Sequence, residues 1–268
     1  MSGDPVPRDA ELRSTLVALS DTKLLLGYHY GEWTFGPPAI EAGIAACSMA
    51  QEEFGHTRLL NGILKREFEL EIDPLADQRP PDAFASIAFL DHPLESWAEL
   101  VAANAVVDLA LSLLLSSFED GDYQPLARAV PKMLLEERFH TEHAEGWVRV
   151  IESGEAAPRD ALARALERAL RDVAAFFGPA GHDEDLVRSG ARTADDEALR
   201  GRLFARIAGL LADPAAVGLR REGDGWSLIE PLNWADWDAE RRRLSAGGPD
   251  QGMLDELRGT KNVAFKSA

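Results

Sequence analysis

Two short stretches decide how this chain folds: Gln51-Glu52-Glu53-Phe54-Gly55-His56 and Leu135-Glu136-Glu137-Arg138-Phe139-His140. Each is a Glu-Glu-x-x-His. Around the first, apolar residues recur at helical spacing as Ala46, Met49, Leu60 and Ile63. Around the second they recur as Val130, Met133, Ala144, Trp147 and Ile151. That period predicts two amphipathic helices. Residues three apart share a helix face, so Glu53 with His56, and Glu137 with His140, are expected to interrupt apolar, inward-facing stripes. An exposed ladder of Glu and Lys would not be flanked this way.

Working outward, period-two alternation is nearly absent and helical spacing dominates. We expect a first helix near Asp9–Trp33, broken by Gly36-Pro37-Pro38, and a second from Pro38 to about Glu69. A Pro-containing loop, 73–81, holds Pro74, Pro80 and Pro81. A third helix is expected over about Pro93–Phe118, a fourth over Tyr123–Ser153, a fifth over Pro158–Phe177 and a weaker one over Ala194–Leu211. After Pro214 the pattern is irregular, with Trp226, Trp234 and Trp237 among acidic residues. The fold class is therefore all-α: a four-helix bundle core with additional C-terminal helices and a partly irregular tail. We divide it into a bundle domain, 1–215, and an extension, 216–268, packing on the bundle. The first two helices and the next two carry the same polar signature, as a duplicated helix pair would.

Two further acids complete the candidate site. Glu32 closes the first helix with Leu25, Tyr28 and His29 on its side, and Asp108 lies mid-helix among Val101, Ala105, Leu111 and Leu115. Glu32 precedes Glu53 by 21 residues and Asp108 precedes Glu137 by 29, gaps that suit helical hairpins. A buried, unpaired carboxylate costs several kcal/mol, and four together also repel one another. Two ferrous ions would bring +4 against −4, with one imidazole per metal. Oxygen-rich sites with imidazole suit iron, with manganese possible. The expected metal set is Glu32, Glu53, His56, Asp108, Glu137 and His140. The acids Glu32, Glu53, Asp108 and Glu137 would also act in catalysis. One acid from each of two helices and Glu-x-x-His from each of the other two is the di-metal arrangement of ferritin-like bundles.

Other polar residues have simpler readings. His29 is expected as a hydrogen-bonded core histidine and His143 as a structural neighbour of His140. Glu52 and Glu136 should point sideways into bonds with neighbouring helices. His92 and His182 are expected in solvated loops, the three tail tryptophans in packing, and Arg241-Arg242-Arg243 at a solvated helix end, although a phosphate-bearing ligand could use them.

Composition narrows the function. With 28 Lys and Arg against 46 Asp and Glu, the formal net charge of the 268 residues is −18. That argues against a nucleic-acid partner, which needs a basic face, and against adsorption to an anionic membrane. Cys47 is the single cysteine, so intrachain disulfides and thiolate metal sites are excluded. Residues 1–11 lack the apolar core of a signal peptide. No apolar run reaches the ~18 residues of a membrane span; the longest, Val101–Leu115, is broken by Asn104, Asp108 and Ser112. We expect a cytoplasmic protein.

The segments Gly31-Glu32-Trp33, 51–56, Val107-Asp108 and Glu136-Glu137-Arg138-Phe139-His140, with Asp236-Trp237 and Gly247-Gly248-Pro249 in the tail, resemble the phenylacetic acid catabolic family of ferritin-like proteins, and within it the catalytic, di-iron subunits. The resemblance implies a non-haem di-iron monooxygenase that activates O2 and epoxidises an aromatic acyl-CoA such as phenylacetyl-CoA. It also implies partners: a sister ferritin-like subunit, a small bridging subunit and an NADPH-dependent flavin/iron–sulfur reductase, in a homo- or hetero-oligomer. Retention of the ligand set favours the catalytic role. The alternatives are a metal-poor scaffold subunit of the same kind of complex, a stand-alone di-iron oxygenase on another metabolite, and an iron-storage protein. Two departures stand out. The catalytic subunits usually carry a lysine where this chain has Met49, and their basic stretch is thinned here to Arg188 and Arg192 among Asp183, Glu184 and Asp185.

Overall fold

The computed structural model describes residues 7–73 and 77–265; the loop expectation at Pro74 lies outside them. Helices α1 (Pro7–Glu32) and α2 (Ile40–Phe68) form an antiparallel hairpin. Gly27 lets their backbones approach closely: a Cβ there would sit 3.1 Å from that of Glu53 and 3.0 Å from the Phe54 ring. Helix α2 ends at Glu69 in the left-handed region, φ 55°, where its N–H bonds Leu64 O.

Helix α3 spans Trp97–Ser116. Ser96 opens it with a capping box, accepting from the Glu99 N–H while the Glu99 carboxylate accepts from its own. The middle of α3, Ala103–Asp108, is a π-helical turn. Such a turn adds a residue to the helix and rotates the side chains beyond it, often at functional sites; this one ends on Asp108. The helix is apolar enough to suggest a membrane span by composition, but 78% of that window is buried within the protein, so its apolarity is that of a core element.

The expected fourth helix is divided into α4 (Gln124–Ala127) and α5 (Val130–Glu152). Pro131 is the reason: lacking an N–H, it is tolerated in a first turn and not in an interior. Helix α6 (Ala156–Phe177) buries Leu162, Leu166, Leu170, Val173 and Phe177, packs against α3 and stops at Gly178, φ 75°. A short α7 (Glu184–Arg188) precedes α8 (Asp196–Ala208). The weaker helix expected from 194 thus starts at Asp196, capped by the Asp195 carboxylate on the Ala198 N–H.

The tail is more ordered than its composition suggests. Leu219–Glu222 (β1) and Gly225–Leu228 (β2) pair antiparallel around a two-residue turn at Gly223-Asp224, with Gly223 at φ 59°. A last helix, α9, covers Gln251–Leu257. The expectation of a solvated arginine cluster at 241–243 is corrected by burial of two of its members. Arg243 grips both Asp91 oxygens at 2.9 Å and donates to Ser86 O at 2.7 Å. Arg242 donates to Asp196 at 3.0 Å. Trp237 donates its indole N–H to Ala175 O at 2.8 Å, so polar contacts fasten the tail to the bundle alongside its buried Val217, Leu219, Met253 and Leu254.

Candidate metal centre and its buried lysine

Helices α1, α2, α3 and α5 point a set of polar side chains at one level of the bundle. Glu53, His56, Asp108, Glu137 and His140 are all buried there. One ligand atom each from Glu53, Asp108, Glu137 and His140 lies within 4.8 Å of all the others, a group able to hold a metal ion.

The two Glu-Glu-x-x-His stretches brace each other reciprocally. Nε2 of His140 lies 2.7 Å from the Glu52 carboxylate, and Nε2 of His56 lies 2.8 Å from that of Glu136. The first glutamate of each stretch thus holds the histidine of the other, as the sideways orientation expected for Glu52 and Glu136 requires. The Nδ1 atoms turn inward, that of His140 to 2.8 Å from Asp108 Oδ2 and that of His56 to 3.2 Å from Glu137 Oε1. Tyr30 donates its hydroxyl to Asp108 at 2.7 Å, and Ser112 donates to Glu137 at 2.8 Å.

Glu32 is not in this cluster. It is exposed at the end of α1. The hairpin explains why. Glu32 is the last residue of α1, whereas Glu53 is thirteen residues into α2. At about 1.5 Å of rise per residue the two levels differ by roughly 20 Å. The matched pair is the other one: Asp108 lies eight residues before the end of α3 and Glu137 seven after the start of α5.

What α1 brings to the cluster instead is Lys23. Its side chain is fully buried, with Nζ 2.9 and 3.0 Å from the two Glu53 oxygens, 2.6 Å from Glu137 and 4.0 Å from Asp108. Sequence reading missed it, yet a signal was present. Asp108 precedes Glu137 by 29 residues; the same offset before Glu53 falls beside Lys23, which precedes it by 30. Under the duplicated-hairpin reading, Lys23 is the α1 counterpart of Asp108.

The six-residue set expected for two irons is not assembled as a whole. The expected sixth ligand is at the surface, and an ammonium stands between Glu53 and Glu137, where metal-bridging carboxylates would meet their ions. Burial alone would pull the Lys23 pKa down, but Glu137, Glu53 and Asp108 outweigh it and hold the amine firmly protonated. Burial raises Glu53 well above the carboxylate range, with Glu137 and Asp108 adding to it. Burial would raise Glu137 too, yet Lys23 and the His56 hydrogen bond hold it well below. At His140, desolvation is overcome by Asp108, Glu137 and Glu53, which push it up to about 10. The acids therefore have cationic partners within the chain itself.

The remaining candidates are structural. His29 lies 3.0 Å from Leu90 O, and burial lowers its pKa to about 4. His143 lies 2.9 Å from the Asn104 side chain and edge-on to Trp97. His182 is half-buried, not solvated, against Phe177 O and Asp196. With Asp183 and Asp196 it forms a second acidic group, but Arg192 reaches Asp183 at 3.0 Å and Asp196 at 2.6 Å, and Arg242 also bonds Asp196, so guanidinium groups fill it.

The fold and the cluster together define a ferritin-like helical protein with a buried carboxylate–histidine centre. The chain belongs to the phenylacetic acid catabolic protein family, whose model matches residues 4–219. A search of curated proteins returned no match.

Proposed function

We propose that this chain is a supporting subunit of a multi-component, oxygenase-type system for phenylacetate catabolism, pairing with a sister ferritin-like subunit that carries the oxygen-activating irons. The observation that carries this reading is Lys23, whose ammonium sits among the carboxylates that a di-iron pair would need. Membership of the family supports phenylacetate catabolism as the setting, and a cytoplasmic complex with a reductase and a small bridging subunit is the corresponding assembly.

Two further features favour the supporting role. Phe35, Ile40 and Ile44 near the start of α2, and Leu135 and Phe139 on α5, are large exposed apolar side chains. Grouped apolar exposure is a common mark of a protein-binding face. In addition, arginines that could have met the phosphates of an acyl-CoA are committed elsewhere: Arg192, Arg242 and Arg243 to Asp183, Asp196 and Asp91, and Arg188 to Glu184 and Asp185. An aromatic acyl-CoA would then be held by the sister chain.

The test is aerobic loading of the purified protein with ferrous iron, followed by its optical spectrum. The reading expects no oxo-bridged di-ferric absorption. A di-ferric band together with two irons per chain would overturn it and restore the di-iron monooxygenase.

A further inference from the structure

We propose that the cluster takes one divalent cation, bound by Asp108, His140, Glu53 and Glu137, with the Lys23 ammonium standing in for the second metal of a pair. The proposal rests on the supporting-subunit reading, in which Lys23 closes the two-metal arrangement, and it adds that only half of that arrangement is closed.

Three observations carry it. The first is the donor geometry: four buried side chains from α2, α3 and α5 converge within 4.8 Å, giving three carboxylates and one imidazole. The second is an orphan. Asp108 Oδ2 receives Tyr30 at 2.7 Å, Asn104 at 3.3 Å and the His140 contact at 2.8 Å, whereas Asp108 Oδ1 is buried with no hydrogen-bond partner. Lys23 Nζ lies 4.0 Å from it, beyond hydrogen-bond reach. Buried acceptors left without a donor are rare in folded proteins, and a cation would satisfy this one.

The third is charge. With the protons of Glu53 and His140 displaced by the ion, Glu53, Asp108 and Glu137 carry −3, Lys23 returns +1, and one dication restores neutrality with His140 as a neutral ligand. Two dications beside Lys23 would leave the buried site at +2. The pseudo-symmetry also assigns the halves. The α3–α5 half keeps its own acid, Asp108, while the α1–α2 half has Lys23 at the equivalent place. Glu52 already orients His140 from behind through Nε2, as outer carboxylates do for metal-bound imidazoles. The donor set of oxygen with one imidazole suits Mn2+ or Fe2+.

The experiment is a titration of chelator-treated full-length protein with Mn2+, counted by electron paramagnetic resonance, with a pulsed spectrum to detect nitrogen coupled to the metal. One ion per chain with a single imidazole nitrogen is expected. Asp108→Asn or His140→Gln should weaken binding at least tenfold, Glu52→Gln by ~10–100-fold as for other outer-shell partners, and Glu32→Gln not at all. The pulsed spectrum of the unsubstituted protein decides the matter even if an inner variant fails to fold. No bound ion, or an ion without nitrogen coupling, would overturn this inference while leaving the supporting-subunit reading intact. Two ions per chain would overturn both.

Discussion

Replacing Lys23 by methionine keeps an unbranched side chain, one atom shorter, and removes its charge. In the parent chain the ammonium makes three contacts of 2.6–3.0 Å to Glu53 and Glu137 and lies 4.0 Å from Asp108. Deleting one partner of a buried ion pair destabilises by about 3–5 kcal/mol, because the other charge is left uncompensated. For a chain of this size each kcal/mol shifts Tm by about 2–4 °C, so Lys23→Met should melt about 6–20 °C lower in metal-free buffer. The same change vacates the second cation place, so Mn2+ should recover stability. Each site filled at 100 times its Kd returns ~2.7 kcal/mol, and two sites, at ~5.4 kcal/mol, would offset the loss. The assay is a thermal melt by circular dichroism with and without Mn2+. A variant as stable as its parent would refute the reasoning, since Lys23 could not then be neutralising the buried acids. A variant destabilised but indifferent to Mn2+ would refute the equivalence of ammonium and metal.

Other contacts carry their own expectations. Glu32→Gln should leave stability within about 0.5 kcal/mol of the parent, the usual range for a surface change, and a larger loss would return Glu32 to the site. Arg243→Ala breaks the bidentate contact to Asp91 and leaves that acid buried; we expect about 3–5 kcal/mol of destabilisation, with limited proteolysis cutting first in 238–265. His29 gives a pH dependence whose sign is fixed. Its folded pKa is lowered to about 4 from an ordinary 6.5, so the unfolded chain binds the proton first. Its contribution is fully present above pH 6.5 and is lost as pH falls toward 4, by on the order of 3 kcal/mol. His29→Gln should flatten that slope in denaturant melts between pH 4 and 6.5; an unchanged slope would assign the dependence to another group.

The bundle was readable because its helices are long, periodic and punctuated by Pro and Gly. The level of Glu53, His56, Glu137 and His140 was readable because each pair interrupts an apolar stripe. Asp108 stood out as a lone acid in an apolar helix. Glu32 misled for a geometric reason: Leu25 and His29 on its face are buried, but α1 is buried on nearly every side through its middle, so a stripe there carries no information about direction. The informative quantity was distance to the hairpin turn, which places Lys23 and not Glu32 beside Glu53. A lysine in an apolar helix is also easily set aside as a snorkelling surface residue, whereas here three acids from other helices make its burial tolerable. The tail hairpin was illegible because its strands are only four residues each, and the anchoring of Arg242 and Arg243 because it depends on partners far along the chain, Asp196 and Asp91, which no local period announces.

The most direct test is a crystal structure of the protein soaked in Mn2+, with the metal located by anomalous scattering. We expect Lys23 Nζ within hydrogen-bonding distance of Glu53 and Glu137, and no more than one anomalous peak, beside Asp108 and His140. Two peaks bridged by Glu53 and Glu137, with Lys23 turned out of the cluster, would contradict a buried ammonium in place of the second metal.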